Sequence, residues 1–323
     1  MSSSTRPSLA VGIILACLLG RPSLLHANHG PGASGGGSST ISGETLKPQS
    51  CEITFREDFT EFEHFTPAQA RQRAAEGGDF DALRRGFITS VDLAFGVMND
   101  FQVAAIVGYF AGEGFLSASS DGGGQDVATA TPTGLTDLTL TAKYRVLKGW
   151  PGNLAIIGGV KLPTGRDNVH LSNGEKISPT DQPGTGAFDF PVGVGYSRFL
   201  TSKITLDASA MYLIRKPHED FKVGDRLDVG LAVAYRLTDS IKTFPQVSIF
   251  GEVLTVYLQK DADHGQRDPN SGSVSTYFSP GLRIRLDPHV SLTAAPLFPV
   301  YQELNGDQGK VEIKGTISLS FSF

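Results

Sequence analysis

The last thirteen residues, VEIKGTISLSFSF (Val311 to Phe323), decide the fold. Odd positions read Val311, Ile313, Gly315, Ile317, Leu319, Phe321 and Phe323. Even positions read Glu312, Lys314, Thr316, Ser318, Ser320 and Ser322. Side chains of a strand alternate between its two faces, so this is a strand with one apolar and one polar surrounding. The same alternation recurs upstream. Leu227, Val229, Leu231, Val233, Tyr235 and Leu237 alternate with Asp228, Gly230, Ala232, Ala234 and Arg236. Leu138, Leu140, Ala142, Tyr144 and Val146 alternate with Thr139, Thr141, Lys143 and Arg145.

Twelve such stretches are expected, over residues 51–63, 85–97, 101–115, 136–147, 154–163, 187–200, 203–215, 226–238, 244–258, 274–286, 289–301 and 310–323. Their connections alternate between short and long, for example 98–100 and then 116–135. Short turns at one end and long loops at the other mark an outer-membrane barrel, with the long loops extracellular. An even strand count puts both termini on the periplasmic side. A soluble sandwich with its apolar face inward is the rival, and the aromatic positions discriminate. On the apolar face, Tyr109, Phe188, Tyr212, Tyr257, Phe278 and Phe298 fall near the long loops. Phe95, Phe101, Tyr144, Tyr196, Tyr235, Phe321 and Phe323 fall near the short turns. Two aromatic girdles around an aliphatic band fit a wall facing lipid. The expected fold is therefore all-β, a 12-stranded antiparallel up-and-down transmembrane β-barrel over residues 51–323. Its partners would be outer-membrane lipid and the barrel-assembly machinery, with Phe321 and Phe323 as the C-terminal assembly signal.

Composition sharpens this. The chain has 323 residues, 28 Lys and Arg against 33 Asp and Glu, and 38 Gly. Its mean hydropathy is −0.07, which excludes a bundle of apolar transmembrane helices. A barrel reaches that mean because polar lumen positions offset lipid-facing ones. The acidic balance gives no basic surface, so no nucleic-acid partner is expected. Two cysteines exclude a disulfide scaffold.

Arg6 followed by the apolar run Leu9 to Leu19, with Ala27 as a small residue before the cut, reads as a signal peptide over residues 1–27. A lipoprotein signal cut before Cys17 is a second reading, opposed by Leu18 and Leu19. Residues 28–50 (NHGPGASGGGSSTISGETLKPQS) hold few large apolar groups, so a flexible Gly/Ser-rich segment is expected. In the first long loop, Thr66, Pro67 and Gln69 make a capping-box helix start.

The inward positions carry Asp92, Lys143, Arg145, Lys161, Lys203, Asp207, Asp228, Arg236, Glu252, Arg283 and Arg285 as lumen or pore candidates. Buried charges are costly unless paired, and a wet lumen removes that cost. Lys143, Arg145, Lys203, Arg236, Arg283 and Arg285 gather in the periplasmic half. Two readings follow: a basic constriction that favours anions, or a salt-bridge lattice that props the wall.

His170-Leu171-Ser172-Asn173-Gly174 resembles the H-x-S-N-G stretch of outer-membrane phospholipases. Pro163 and Gly165 break the strand before it, and no convincing downstream Asn orients the His as triad logic requires. Asp261-Ala262-Asp263-His264-Gly265 starts like a calcium loop, but Gly265 and Gly272 stand where ligands are needed. No catalytic residue, metal site or cofactor site is expected, and no enzyme activity.

Five further stretches carry a family resemblance: Ser42 to Leu46 (SGETL), Phe59 to Phe62 (FTEF), Gly134 to Leu140 (GLTDLTL), Lys161 to Gly165 (KLPTG) and Gln182 to Gly186 (QPGTG). Together they resemble the outer-membrane barrel family named for the meta-pathway of phenol degradation. That resemblance implies an outer-membrane transporter for passive uptake of small molecules, aromatic or hydrophobic compounds among them. The alternatives are a closed structural or adhesive barrel and a lipid hydrolase using His170 and Ser172.

Overall fold

The computed structural model describes residues 37–77, 80–119, 127–240 and 242–323. The expected signal peptide, Cys17 and residues 28–36 lie outside them. Twelve strands form the barrel: β1 (Cys51–Phe62), β2 (Arg85–Met98), β3 (Phe101–Glu113), β4 (Leu138–Leu147), β5 (Asn153–Leu162) and β6 (Asp189–Phe199). Then follow β7 (Ile204–Arg215), β8 (Arg226–Arg236), β9 (Gln246–Leu258), β10 (Ser273–Arg285), β11 (Val290–Leu304) and β12 (Val311–Ser322). Each pairs antiparallel with its chain neighbour, and β12 returns to pair with β1, where Phe55 meets Leu319. The sheet therefore has no free edge, which satisfies every ladder without help from solvent. All twelve expected strands are present, with ends displaced by a few residues.

The alternation sorts the wall as expected. Val229, Leu231, Val233 and Tyr235 of β8 are exposed outward, and Gly230, Ala232 and Ala234 are buried inward. Of the girdle residues, Tyr109, Phe188, Tyr257, Phe278, Phe298, Tyr144, Tyr235 and Phe323 are exposed, and Phe95, Phe101, Tyr196, Tyr212 and Phe321 are half-buried. Among the described residues no helix is long and apolar enough to cross a membrane. The crossing is made by strands.

The long loops fold on themselves. A helix, α1 (Pro67–Gly77), starts at the expected capping box: Gln69 N donates to Thr66 Oγ1 at 3.3 Å, and Thr66 N donates to Gln69 Oε1 at 2.9 Å. It packs Ala70 and Ala74 against Phe65, Phe80 and Ala118. Short strands Phe80–Ala82, Phe115–Ala118 and Val127–Ala130 form a small sheet beneath it. On its far side Phe115 and Ala128 meet Val169, Leu171 and Ile177 from the next long loop. The Arg73 guanidinium lies over the Phe65 and Phe80 rings, at 5.3 and 6.0 Å from their centroids, and pairs with Asp307. This cap stands at the long-loop end.

Candidate functional site

The flexible segment expected over residues 28–50 is corrected for residues 37–50, which enter the barrel and bond to its inner wall. Followed backwards from β1, the segment meets the strands in barrel order. Gln49 N donates to Gly96 O of β2 at 2.7 Å. Leu46 N donates to Gln102 Oε1 of β3 at 2.8 Å. Asn153 Nδ2 of β5 donates to Glu44 Oε1 at 3.3 Å. Gly43 N donates to Ser197 Oγ of β6 at 2.8 Å, and Ile41 N to Ser209 Oγ of β7 at 3.1 Å. On β9 the Glu252 carboxylate accepts the backbone N–H groups of Ser38, Ser39 and Thr40 and the hydroxyls of Ser38 and Thr40, at 2.5 to 3.1 Å. Arg283 of β10 donates to Gly37 O at 3.1 Å, and Arg56 of β1 donates to Ser38 O at 3.0 Å. The segment has come full circle to β1.

The dimensions agree with a belt. Twelve tilted strands spaced about 4.8 Å apart make a wall with a radius of about 12 Å. The fourteen residues 37–50 span about 46 Å when extended, the circumference of a circle about 7 Å in radius. A chain laid one strand spacing inside the wall needs that length. Two glycines show why it fits. A Cβ on Gly96 would overlap the Lys47 carbonyl oxygen, and one on Gly43 would overlap the Asn153 carbonyl oxygen. Gly and Ser in this tract allow close backbone approach and supply hydroxyl donors. Composition shows a lack of core-forming groups, but not that polar walls can hold the chain by hydrogen bonds.

Besides Glu252, the belt runs past four buried wall charges at a lower level: Glu52 on β1, Lys143 on β4, Asp207 on β7 and Arg283 on β10. They recur every third strand and alternate in sign. The register leads from Glu52 through Ala94 and Ala104 to Thr141 of β4. A ladder row climbs by about one residue per strand in a tilted barrel, so Lys143 stands near the height of Glu52. Continued round the wall, the same walk brings Asp207 and Arg283 to that height within about 4 Å. Each corner lies within electrostatic reach of both neighbours: Glu52 and Lys143, Lys143 and Asp207, Asp207 and Arg283, Arg283 and Glu52. This alternation offsets part of the desolvation of four buried ions. Ser197 Oγ donates to Asp207, and Ser322 Oγ donates to Glu52 at 3.2 Å. Lys143 Nζ, Asp207 Oδ2 and Arg283 Nη1 have no hydrogen-bond partner in the structure.

The other candidates divide by height. Lys161 lies at the long-loop end, its Nζ 2.7 Å from both Asp137 and Asp189 and 2.6 Å from Thr185 Oγ1. Asp137 also accepts Gly165 N at 2.9 Å and Thr185 N at 3.0 Å. Three of the resembling motifs thus meet at one clamp. Burial there pushes the Asp137 carboxyl up, but Lys161 and the two N–H groups outweigh it and hold it below its ordinary value. Asp228 pairs with Arg226 at 2.8 Å. Asp92 lies near Arg56, which itself pairs with Asp58 at 2.7 Å. At the short-turn end Arg145 pairs with Asp100, whose carboxyl that contact holds below the usual range. Lys203 pairs with the exposed Asp239, Arg236 donates to Ser202 O at 2.8 Å, and Arg285 donates to Pro288 O at 3.3 Å. These three sit at the short-turn end, where their strands begin or end, and Arg285, on the same strand face as Arg283, lies within electrostatic reach of Glu52. Along the belt the wall places the cations Arg56, Lys143 and Arg283 and the anions Glu52, Asp207 and Glu252, and the belt itself brings Glu44. Glu52 and Glu44 are absent from the sequence-level lumen set. Glu52 alternates with Ile53 and Phe55, which was the available signal; nothing local pointed to Glu44.

His170 and Ser172 are exposed in a loop, and Ser172 Oγ accepts Thr129 N at 3.1 Å. Among the described residues no hydrogen bond joins His170 to Ser172. No group of three or more His, Cys, Asp or Glu that could hold a metal ion occurs among them.

Residues 66–300 match the family described as "Putative MetA-pathway of phenol degradation". The chain belongs to this family. No curated relative matches it. Among solved structures it is similar to an outer-membrane channel from Pseudomonas putida F1, at 12% identity and a TM-score of 0.57, covering 85% of this chain and 94% of that one. It is also similar to the β-domain of the Bordetella autotransporter BrkA, at 11% identity and a TM-score of 0.49, covering 84% and 100%. The monoaromatic hydrocarbon channel CymD aligns at 10% identity and a TM-score of 0.44, covering 86% and 89%. At these identities the likeness shows the fold, that of a transmembrane barrel.

Proposed function

We propose that this family member is a passive channel of the bacterial outer membrane for small solutes, with its short turns and both termini in the periplasm. One observation carries the reading: a lipid-facing barrel encloses a charged and hydroxyl-lined wall, and a belt of its own chain is bonded round that wall. A purely structural barrel of this size gains little from buried ions, whose desolvation the alternating pairing offsets only in part. The family description makes phenol a first solute to test. Phe321 and Phe323, at the C-terminal end, serve in this reading as the signal read by the assembly machinery.

The test is conductance of the folded full chain in a planar bilayer, with swelling of proteoliposomes in small neutral solutes and phenol. Small, stable current steps are expected. Deletion of residues 38–48 should raise the step roughly threefold or more, as the open cross-section widens. Neither current nor uptake from either form would overturn the channel and favour the closed barrel. Lipid hydrolysis that is lost in Ser172→Ala would instead revive the hydrolase.

A further inference from the structure

We propose that Glu52, Lys143, Asp207 and Arg283 form the specificity-determining constriction, a ring without net charge that passes neutral and zwitterionic solutes in preference to ions of either sign. This rests on the channel reading above. The spacing is the first argument. Charges on β1, β4, β7 and β10 of a twelve-stranded wall stand a quarter-turn apart. Like signs therefore face each other across the lumen, Glu52 against Asp207 and Lys143 against Arg283. The potentials of two positive and two negative corners cancel on the axis. An ion at the centre gains nothing from the ring to replace the water it sheds, whichever its sign. A basic constriction, one of the two readings the sequence allows, would have attracted anions.

The unpartnered atoms are the second argument. Lys143 Nζ, Arg283 Nη1 and Asp207 Oδ2 are buried and lack hydrogen-bond partners. They are donors and an acceptor on neighbouring quarters of the wall, covered in this structure. A zwitterion, with a carboxylate and an ammonium on one small body, matches the field of two adjacent corners at once. A neutral hydroxyl-bearing solute matches either kind. The belt is the third. It lies against this level on Gln102, Ser197 and Arg283, so the belt narrows the lumen at the height of the ring. The belt's own charge at this height, Glu44, faces Lys143 and Arg145 and leaves the signs mixed.

The experiment is the reversal potential of the full chain in a potassium chloride gradient. The unaltered protein should show a potassium-to-chloride permeability ratio within about twofold of one. Lys143→Gln should move the ratio toward potassium by roughly threefold or more, and Glu52→Gln toward chloride by as much. The double variant should return to the starting ratio, and Lys143→Arg should keep it. A folding defect cannot produce shifts of opposite sign that cancel in the double variant. Clear currents with a strongly ion-selective unaltered protein would overturn the ring. So would single variants that leave the ratio where it was. Absence of any current from the unaltered chain would remove the channel reading itself, which is a separate result.

Discussion

The belt and the cap both fold chain that is not barrel strand, and they are built by opposite means. The cap buries apolar groups: Phe65, Ala70, Ala74, Phe80 and Ala118 on one side of a small sheet, Phe115, Val169, Leu171 and Ile177 on the other. The belt buries almost none. It is held by hydrogen bonds to wall side chains, above all by Glu252, which collects five from Ser38, Ser39 and Thr40 at 2.5 to 3.1 Å. Apolar packing is tolerant of small shifts, whereas a carboxylate ringed by N–H and O–H donors is an all-or-none anchor. The cap is thus expected to loosen piece by piece, and the belt to release at once.

The largest effect should come from Glu252→Ala. Charge-assisted bonds contribute about 1.5–3 kcal/mol each at most and are not additive, yet losing all of them leaves Ser38 to Thr40 held only by the Arg56 bond to Ser38 O. The conductance step should rise toward that of the deletion form, and added protease should cut within residues 37–50. An unchanged step and an intact belt would show that the remaining bonds suffice. Next is Lys161→Met, which strands Asp137 and Asp189 as buried, unneutralised carboxylates at a cost of about 3–5 kcal/mol. The long loops should become protease-sensitive with the ion selectivity unaltered. Its effect should add to that of Glu252→Ala, since the two sites share no partner; strong coupling would break the division between belt and cap.

Phe80→Ala should cost the cap about 3 kcal/mol through the cavity it leaves, read as faster hydrogen exchange over residues 67–77 and none over 38–48. Acid should act on the clamp in a defined window. Asp137 is held below its ordinary value, so its stabilising share is complete above that ordinary value of about 4 and fades as pH falls through the lowered one. Loop protease sensitivity should therefore be flat from pH 8 to about 5 and rise only below about 4. The smallest effect is Thr66→Ala, about 1 kcal/mol of helix stability from the lost cap.

The difference between the two regions also explains what could be read in advance. The helix start at Thr66 is a local signal, complete within four residues. The twelve strands are legible because alternation needs only the strand's own residues. Lys161 and Asp137 could be picked out by type and motif, but 24 residues separate them and only the fold makes them a clamp. The belt lay beyond reach for the same reason carried further: Ser38 and Glu252 are 214 positions apart. Gly96 inside a strand was a hint, since an inward glycine marks close backbone approach, but it does not say which segment approaches.

The sequence by itself determined the barrel, its strand count and which face meets lipid, because a period of two records the two solvents residue by residue. It also determined that the lumen is charged. Only the tertiary structure decided how those charges are arranged. Whether Lys143 and Arg283 belong to a basic patch or to an alternating ring depends on strand order, tilt and register. These are set by closure of the whole wall and not by any stretch of it. The same closure turned a Gly/Ser tract that cannot form a core into a belt, by placing a hydrogen-bonding wall around it.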